Sequence, residues 1–525
     1  MTDTTASLRK SMYLLIGTVG VAVMVAKIAG AENVYEPSRY APATEQNFGF
    51  DREGKPTRIW PTTRPEPSTA FSSNDRSRWA TIKALVDNGT YEIGRRSNFD
   101  SQVSPFDDKG IIFDDGYQSL DKVMNPATGI YYSSKPPLLS TLLAGEYWLL
   151  RKTLNWNIDR DRWLVMAAIL ITVNVLPFAV YLLLLGKLIE AHGTTDFGKL
   201  FAFILASLGT FLTTFSMTLN NHSPAAYCVL FAVYPLLKIR AGSIRDGIKS
   251  SVADASGSDL FLAGFFAALA AAFELPALSF TAVTLLAVIW LNPKRGLMLA
   301  LIGVFIVNAA WFACNYAALG KFMPAYGDFG GPWYDYPGSH WKKWEVVKAG
   351  GFVPGIDFNQ EGTRIYAFHL LFGHHGWFSL TPAFLAAGIG LVMMTKRCIG
   401  STPSPPTPLP PGERGARVFR YLGAATLAIS LTVFAFYLTR TNSYNYGGNT
   451  SGPRWLFWLI PLWILGGLPA FDWLGRSKLR QFLAALLLGI SVLSVFYPAW
   501  NPWRNPWILQ LLERTGTVNY DVKPK

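Results

Sequence analysis

The sequence predicts an all-α polytopic membrane protein, a bundle of about 11 transmembrane helices with a large first extracytoplasmic loop carrying juxtamembrane helices, and three observations carry that prediction. Half of the 525 residues are hydrophobic and only 15% are charged, and the apolar residues come in blocks of about 20, the length that crosses a hydrocarbon core. The second observation is where the charge sits. A net +13, from 47 Lys+Arg against 34 Asp+Glu, is spread over short connections between apolar blocks, which is how membrane orientation is encoded; a nucleic-acid partner would need one basic face. The third is a single long polar stretch, residues 30–162, between the first apolar block and the rest.

The first block, Met12 to Ala29, follows Arg9-Lys10 and is long enough to span as an uncleaved anchor; a signal peptide ending at Ala29-Gly30-Ala31 is the other reading. With Arg9-Lys10 inside, residues 30–162 fall outside. Within them Trp79 to Gly89 has apolar residues at helical spacing and a terminal Gly, as a surface helix would. Leu138 to Leu150 is apolar but short, a juxtamembrane or re-entrant helix. Spans are then expected at Trp163–Leu185, Leu200–Met217, Ala225–Leu237, Leu260–Phe273, Leu275–Leu291, Leu297–Tyr316, Phe368–Met394, Tyr421–Leu438, Trp455–Phe471 and Phe482–Phe496. Counted outward from the first, every cytoplasmic connection is basic, and an extra span at Leu138–Leu150 would invert them all. Cys228, Cys314 and Cys398 have neither metal nor disulfide spacing and read as buried thiols.

Two connections interrupt the pattern. Ser401 to Gly412 is Pro-rich and reads as a stiff linker, so residues 398–420 are expected to divide a module at 1–397 from a smaller block at 421–525 with an extracytoplasmic tail. The loop 320–366 is rich in Trp, Tyr, Gly and Pro, and Tyr334 within it is a candidate for contact with sugar or acceptor. The loop reads equally as a lid or as an interfacial aromatic belt.

The layout from about Met12 to Met394 carries short motifs: Asp75 before the surface helix, Lys135-Pro136 before the membrane-hugging one, then Asn221-His222-Ser223-Pro224, with Gly452-Pro453-Arg454 beyond. It resembles the GT-C glycosyltransferases, in particular lipid A aminoarabinose transferases and dolichyl-phosphate-mannose-type protein O-mannosyltransferases. The resemblance implies transfer of a hexose or pentose from a polyprenyl-phosphate sugar to a lipid, glycan or protein acceptor, on the extracytoplasmic face of a bacterial inner membrane. It also implies Asp75 as general base and Lys135 beside the donor phosphate. Inverting transfer needs a carboxylate to take the acceptor hydroxyl's proton and cations to stabilise the departing phosphate. Taken without the resemblance, Asp75 reads as a helix-capping acid and Lys135 as a snorkelling lysine.

Where such enzymes often carry Asp-Glu in the first loop this chain has Asp75-Arg76, and where they often carry a second acid it has Asn221-His222. A divalent metal loses its expected ligands, so metal-independent transfer without a cofactor is expected, with Asn221 and His222 hydrogen-bonding the acceptor or sugar. Glu274, in the turn Phe273-Glu274-Leu275-Pro276 between two apolar blocks, joins them as a site candidate. His374 and His375 diverge by about 100° in a helix and have no acid nearby in sequence, which favours hydrogen bonding to phosphate over a metal. Arg454 is a second phosphate candidate. A membrane transporter or lipid flippase, and a non-catalytic scaffold, are the competing readings.

Overall fold

The computed structural model describes residues 2–31, 48–50, 56–59, 68–96, 108–114, 116–238, 257–399, 411–441 and 445–523. Most of the predicted linker, residues 401–410, and the connection at 239–256 lie outside them. Helix α1 (Thr2–Ala29) comes first. The polar stretch after it carries an antiparallel hairpin of β1 (Phe48–Phe50) and β2 (Pro56–Ile59), then α2 (Ser73–Asp87). A small antiparallel sheet follows, with β3 (Gly94–Arg95), β4 (Lys122–Met124) and β5 (Ile130–Ser133) in the order β3-β5-β4. An all-α reading missed this sheet because strands this short leave no readable alternation. Helix α3 (Pro137–Leu154) begins on Pro137, where a missing N–H costs no helical bond, and packs on α2. Its outer side leaves Leu142, Trp148 and Leu149 exposed, as suits a helix lying along a membrane surface.

Helix α4 (Arg162–Leu170), a π-helical segment Ile171–Val175 and α5 (Leu176–His192) run on as one helix of 31 residues. Pro177 has no N–H for the bond four residues back, and the π turn before it absorbs the mismatch. The expected span Leu200–Met217 is not one helix: α6 (Asp196–Leu208) stops, and a 3₁₀ turn occupies Thr214–Met217. Thr213 and Ser216 turn their hydroxyls onto nearby backbone carbonyls there, competing with the helical ladder. Next come α7 (His222–Lys238), α8 (Gly257–Phe273), α9 (Leu278–Leu291) and α10 (Arg295–Leu319). Helices α8 and α10 pack backbone to backbone: a Cβ on Gly264 would lie 2.2 Å from the Ala300 carbonyl oxygen.

The 320–366 loop is a chain of 3₁₀ turns around a short α11 (Lys343–Lys348). The expected span Phe368–Met394 is broken into α12 (Thr363–Leu371), α13 (Trp377–Leu380) and α14 (Ala383–Ile399), with Gly373 and Gly376 in the first break and Pro382 in the second. Apolar composition continues across both breaks, so the span read as whole. Helix α15 (Pro411–Leu438) starts inside the predicted linker; α16 (Ile460–Leu474), α17 (Lys478–Phe496) and α18 (Trp507–Arg514) complete the chain. Helix α16 packs against α6 and α14 in one continuous core.

Six of these helices are long and apolar enough to cross a membrane: Thr4–Ala29, Arg162–His192, Arg295–Leu319, Tyr421–Leu438, Arg454–Leu474 and Lys478–Phe496. Three shorter apolar helices lie at His222–Leu237, Gly257–Phe273 and Leu275–Leu291. The chain is an integral membrane protein of helical build. At one end Arg9 of α1 grips both carboxylate oxygens of Glu190 on α5 at 2.6 Å and contacts Asp196. The polar loops gather at the other.

Candidate functional site

Helix α2 opens with a capping box. Ser72 Oγ accepts from the amides of Asn74 and Asp75, at 3.2 and 3.4 Å, and Asp75 Oδ1 accepts from the Ser72 amide at 2.6 Å. The same oxygen accepts from the Arg76 amide at 3.0 Å, while Oδ2 takes the Phe71 amide at 3.0 Å and Thr218 Oγ1 at 2.5 Å. Asp75 is 0% exposed. Burial pushes its carboxyl up, against the donors that pull it down. Asp75, the general base expected from the sequence, is found with its oxygens closing the helix and tying the first loop to Thr218.

The β4–β5 hairpin explains a second pair. Its register sets Lys122 opposite Ser133, so Asp121 just before β4 and Lys135 just after β5 meet, Nζ to Oδ1 at 2.8 Å. Burial pushes Asp121 up, but Lys135, Arg454 and Arg78 outweigh it and hold the carboxyl below its ordinary range. Burial in turn lowers Lys135, with Asp121 opposing.

Arg78 lies one turn beyond Asn74 on α2 and is buried. Its guanidinium donates to the Asn74 carbonyl at 3.0 Å and to the side-chain oxygen of Asn221. Asn221 passes the contact on, its Nδ2 donating to the Phe273 carbonyl at 2.8 Å and to Glu274 Oε1. Arg454 Nη1 meets His222 Nε2 at 3.0 Å, and its guanidinium lies 4.7 Å from the centre of the Trp503 ring. Since Arg only donates, His222 accepts at Nε2; a neutral ring then carries its hydrogen on Nδ1, which lies against Glu274 Oε1. Burial pushes Glu274 up to about 8 against the pull of Arg454, Arg78 and Lys135.

Asp357 completes the group. The Gly448 backbone, at φ +70°, lies so close that a Cβ there would sit 2.5 Å from Asp357 Oδ1. Burial and the negative Asp121 raise Asp357 to about 6, with Arg454 and Lys135 opposing. Asp121, Lys135, Asn221, Asp357 and Arg454 are half-buried, whereas Arg78, His222 and Glu274 are buried behind them.

The other candidates lie elsewhere. His374 and His375 are buried beside Glu361, His369, Tyr446 and Tyr520, joined to the Arg454 segment through His375 Nε2 and the Thr450 carbonyl at 3.0 Å. The acid missing near them in sequence is supplied in space by Glu361. Tyr334 packs with Ala325 against Val123 of β4 and Ala318 and Leu319 of α10, in a small core where the 320–366 loop meets its neighbours.

Lys135, Asn221, His222, Glu274 and Arg454 thus meet as one group, and Arg78, Asp121 and Asp357 join it unforeseen. Arg78 had a weak signal, a polar pair with Asn74 at i,i+4 on a helix otherwise ordered by its apolar residues. Asp121 and Asp357 had none, since their placement depends on hairpin register and loop packing.

No family model and no curated protein matches the chain. Among solved structures it is similar to the apo oligosaccharyltransferase of Archaeoglobus fulgidus, at 13% identity and a TM-score of 0.38, over 97% of this chain and 56% of that one. It is also similar to the Archaeoglobus fulgidus oligosaccharyltransferase AglB in complex with an inhibitory peptide and a dolichol-phosphate, at 13% identity and a TM-score of 0.43, over 95% of this chain and 56% of that one. The chain therefore spans little more than half the length of these oligosaccharyltransferases.

Proposed function

We propose that the protein is a membrane glycosyltransferase that moves a sugar from a polyprenyl-phosphate donor to an acceptor hydroxyl at the Lys135–Arg454 cluster. One observation carries the reading: Lys135 and Arg454, partly exposed at one end of an apolar bundle, act on a partly exposed carboxylate raised toward neutrality, Asp357. A lipid phosphate at a membrane surface needs cations for its headgroup and apolar helices for its tail.

In this reading the acceptor oxygen attacks the anomeric carbon, the bond from that carbon to the phosphate oxygen breaks, and the phosphate departs with the electron pair. Lys135 and Arg454 hold the leaving phosphate, with the charge of Arg78 behind them. Asp357 takes the acceptor's proton. A base poised near 6 suits that work better than Asp121, which neighbouring cations keep ionised, or Asp75, which is enclosed. Asn221, His222 and Glu274 position Arg78 and Arg454, with the half-buried Asn221 on the acceptor side. The charge at the phosphate comes from protein side chains, so metal-independent transfer remains part of the proposal. So do the extracytoplasmic face, the bacterial inner membrane and a lipid, glycan or protein acceptor.

The test is single-turnover transfer by the purified protein from a panel of synthetic polyprenyl-phosphate hexoses and pentoses, followed as release of polyprenyl phosphate. Asp357→Asn should lose turnover while still binding donor. Turnover equal to the unsubstituted protein would remove Asp357 from the mechanism, and no release from any donor would remove the reading itself.

A further inference from the structure

Glu361, His369 and His374 offer three ligand atoms that all lie within 4.8 Å of one another. They come from the end of the 320–366 loop, from α12 and from the turn after it, and counting hydrogens decides what they can hold. The Thr450 carbonyl only accepts, so His375 carries its hydrogen on Nε2, 3.0 Å away. Neutral His375 then has a lone pair at Nδ1, and His374 must donate to it from its own Nδ1 across 2.6 Å. That leaves His374 Nε2 bare, facing the Tyr520 hydroxyl at 2.7 Å. Tyr520 has one hydrogen, and Glu361 Oε1 competes for it at 2.9 Å. His369 adds an Nδ1 that is buried with no hydrogen-bond partner among the described residues, on a residue 8% exposed. Tyr446 donates its own hydroxyl to Glu361 Oε2, so two tyrosine hydrogens serve the lone pairs of His374 Nε2 and both Glu361 oxygens, and His369 Nδ1 is left without a partner among the described residues.

We propose that Glu361, His369 and His374 form a binding site for a divalent transition metal, with zinc the best match. Two imidazole nitrogens and one carboxylate oxygen are a recurrent zinc ligand set, and the fourth position falls to the Tyr520 oxygen or a water. The Thr450–His375 relay does what outer ligands do at such sites, fixing the tautomer and orientation of His374. Tetrahedral zinc with bonds of about 2.0–2.1 Å needs ligand atoms about 3.3 Å apart, so the three side chains, now within 4.8 Å of one another, close in on the ion. Bound metal would pin the 320–366 loop to α12. It would also pin both to the C-terminal tail, which already reaches back through the Gly355 amide to the Tyr520 carbonyl at 2.9 Å. The inference is independent of the proposed function, because its test reads metal and not transfer.

The experiment is equilibrium dialysis of the purified full-length protein in detergent, stripped with chelator, against micromolar zinc alone, with bound metal read by atomic emission and thermal unfolding read in parallel. The expected result is about one zinc per chain and a higher unfolding temperature with zinc, and at least a 10-fold loss of affinity in His369→Gln and in Glu361→Gln. His369→Gln should match the parent in unfolding temperature without metal, since His369 Nδ1 has no hydrogen-bond partner among the described residues. Replacing Cys228, Cys314 and Cys398 with Ser should leave zinc binding unchanged. No bound zinc in the parent, or equal binding in His369→Gln and Glu361→Gln, overturns the proposal, as does binding that disappears with the cysteines.

Discussion

Two buried polar groups lie toward the same end of the molecule, and they are opposite in kind. Around Arg454 the contacts are rich in hydrogens: three cations, Arg78, Lys135 and Arg454, set against the carboxylates of Asp121, Glu274 and Asp357. Around His374 they are poor in hydrogens, with imidazole nitrogens and a carboxylate served by two tyrosine hydroxyls and, among the described residues, no cation. The first arrangement has donors to give an anion and the second has lone pairs to give a cation. Both histidine-bearing segments read as hydrogen-bonding sites in sequence, and only the partners brought in by the fold separate them. Charge balance is thus a better guide to the ligand than residue type.

The largest expected effect lies at Asp357. Asp357→Asn should lower turnover by about 10²–10⁴-fold with donor affinity kept, the ordinary cost of a missing general base. In the parent protein, turnover should rise with pH through about 6 as Asp357 ionises. Asp121→Asn removes the negative neighbour that helps raise it, so that limb should move to lower pH in a pH–rate profile. The sign for stability is opposite to that for activity. A carboxyl raised in the folded state favours folding below the ordinary carboxylate range, and that contribution is lost as pH climbs through about 6.

Arg454→Met comes next. Losing a charge-assisted contact worth about 1.5–3 kcal/mol should weaken donor binding by roughly 10–100-fold. Asp75→Asn sharpens the comparison from the other side. If Asp75 is a cap, the variant should lose about 0.5–2 kcal/mol of stability in chemical unfolding and keep most of its turnover. A loss of turnover as deep as that of Asp357→Asn would restore Asp75 as the base. The smallest effect is expected from chelator: transfer at low temperature should persist, while the unfolding temperature falls by a few degrees if zinc binds at Glu361, His369 and His374.

The sequence made the bundle legible where one local signal sufficed. The long apolar runs became α1, α10, α15 and α17, the surface helix before Gly89 became α2, and Pro137 marks the start of α3. The breaks within Leu200–Met217 and Phe368–Met394 were hidden, because apolar composition persists while side-chain hydroxyls, glycines and Pro382 end the helical ladder. Lys135, Asn221, His222, Glu274 and Arg454 could be singled out because a polar residue beside an apolar block is costly without a task. Arg78, Asp121 and Asp357 could not, since their meeting depends on which face of α2 is buried, on the β4–β5 register and on the approach of Gly448. Asp75 shows the converse: its position was legible and its role depended on five donors that only the folded chain assembles.

Binding of polyprenyl phosphate to the purified protein in nanodiscs tests the anion site most directly, because it needs neither the sugar nor the acceptor to be known. The account predicts saturable binding that weakens by about 10-fold or more in Arg454→Met and in Lys135→Met and is unchanged in Asp75→Asn and His369→Gln. Equal affinity across the parent, Arg454→Met and Lys135→Met would contradict it.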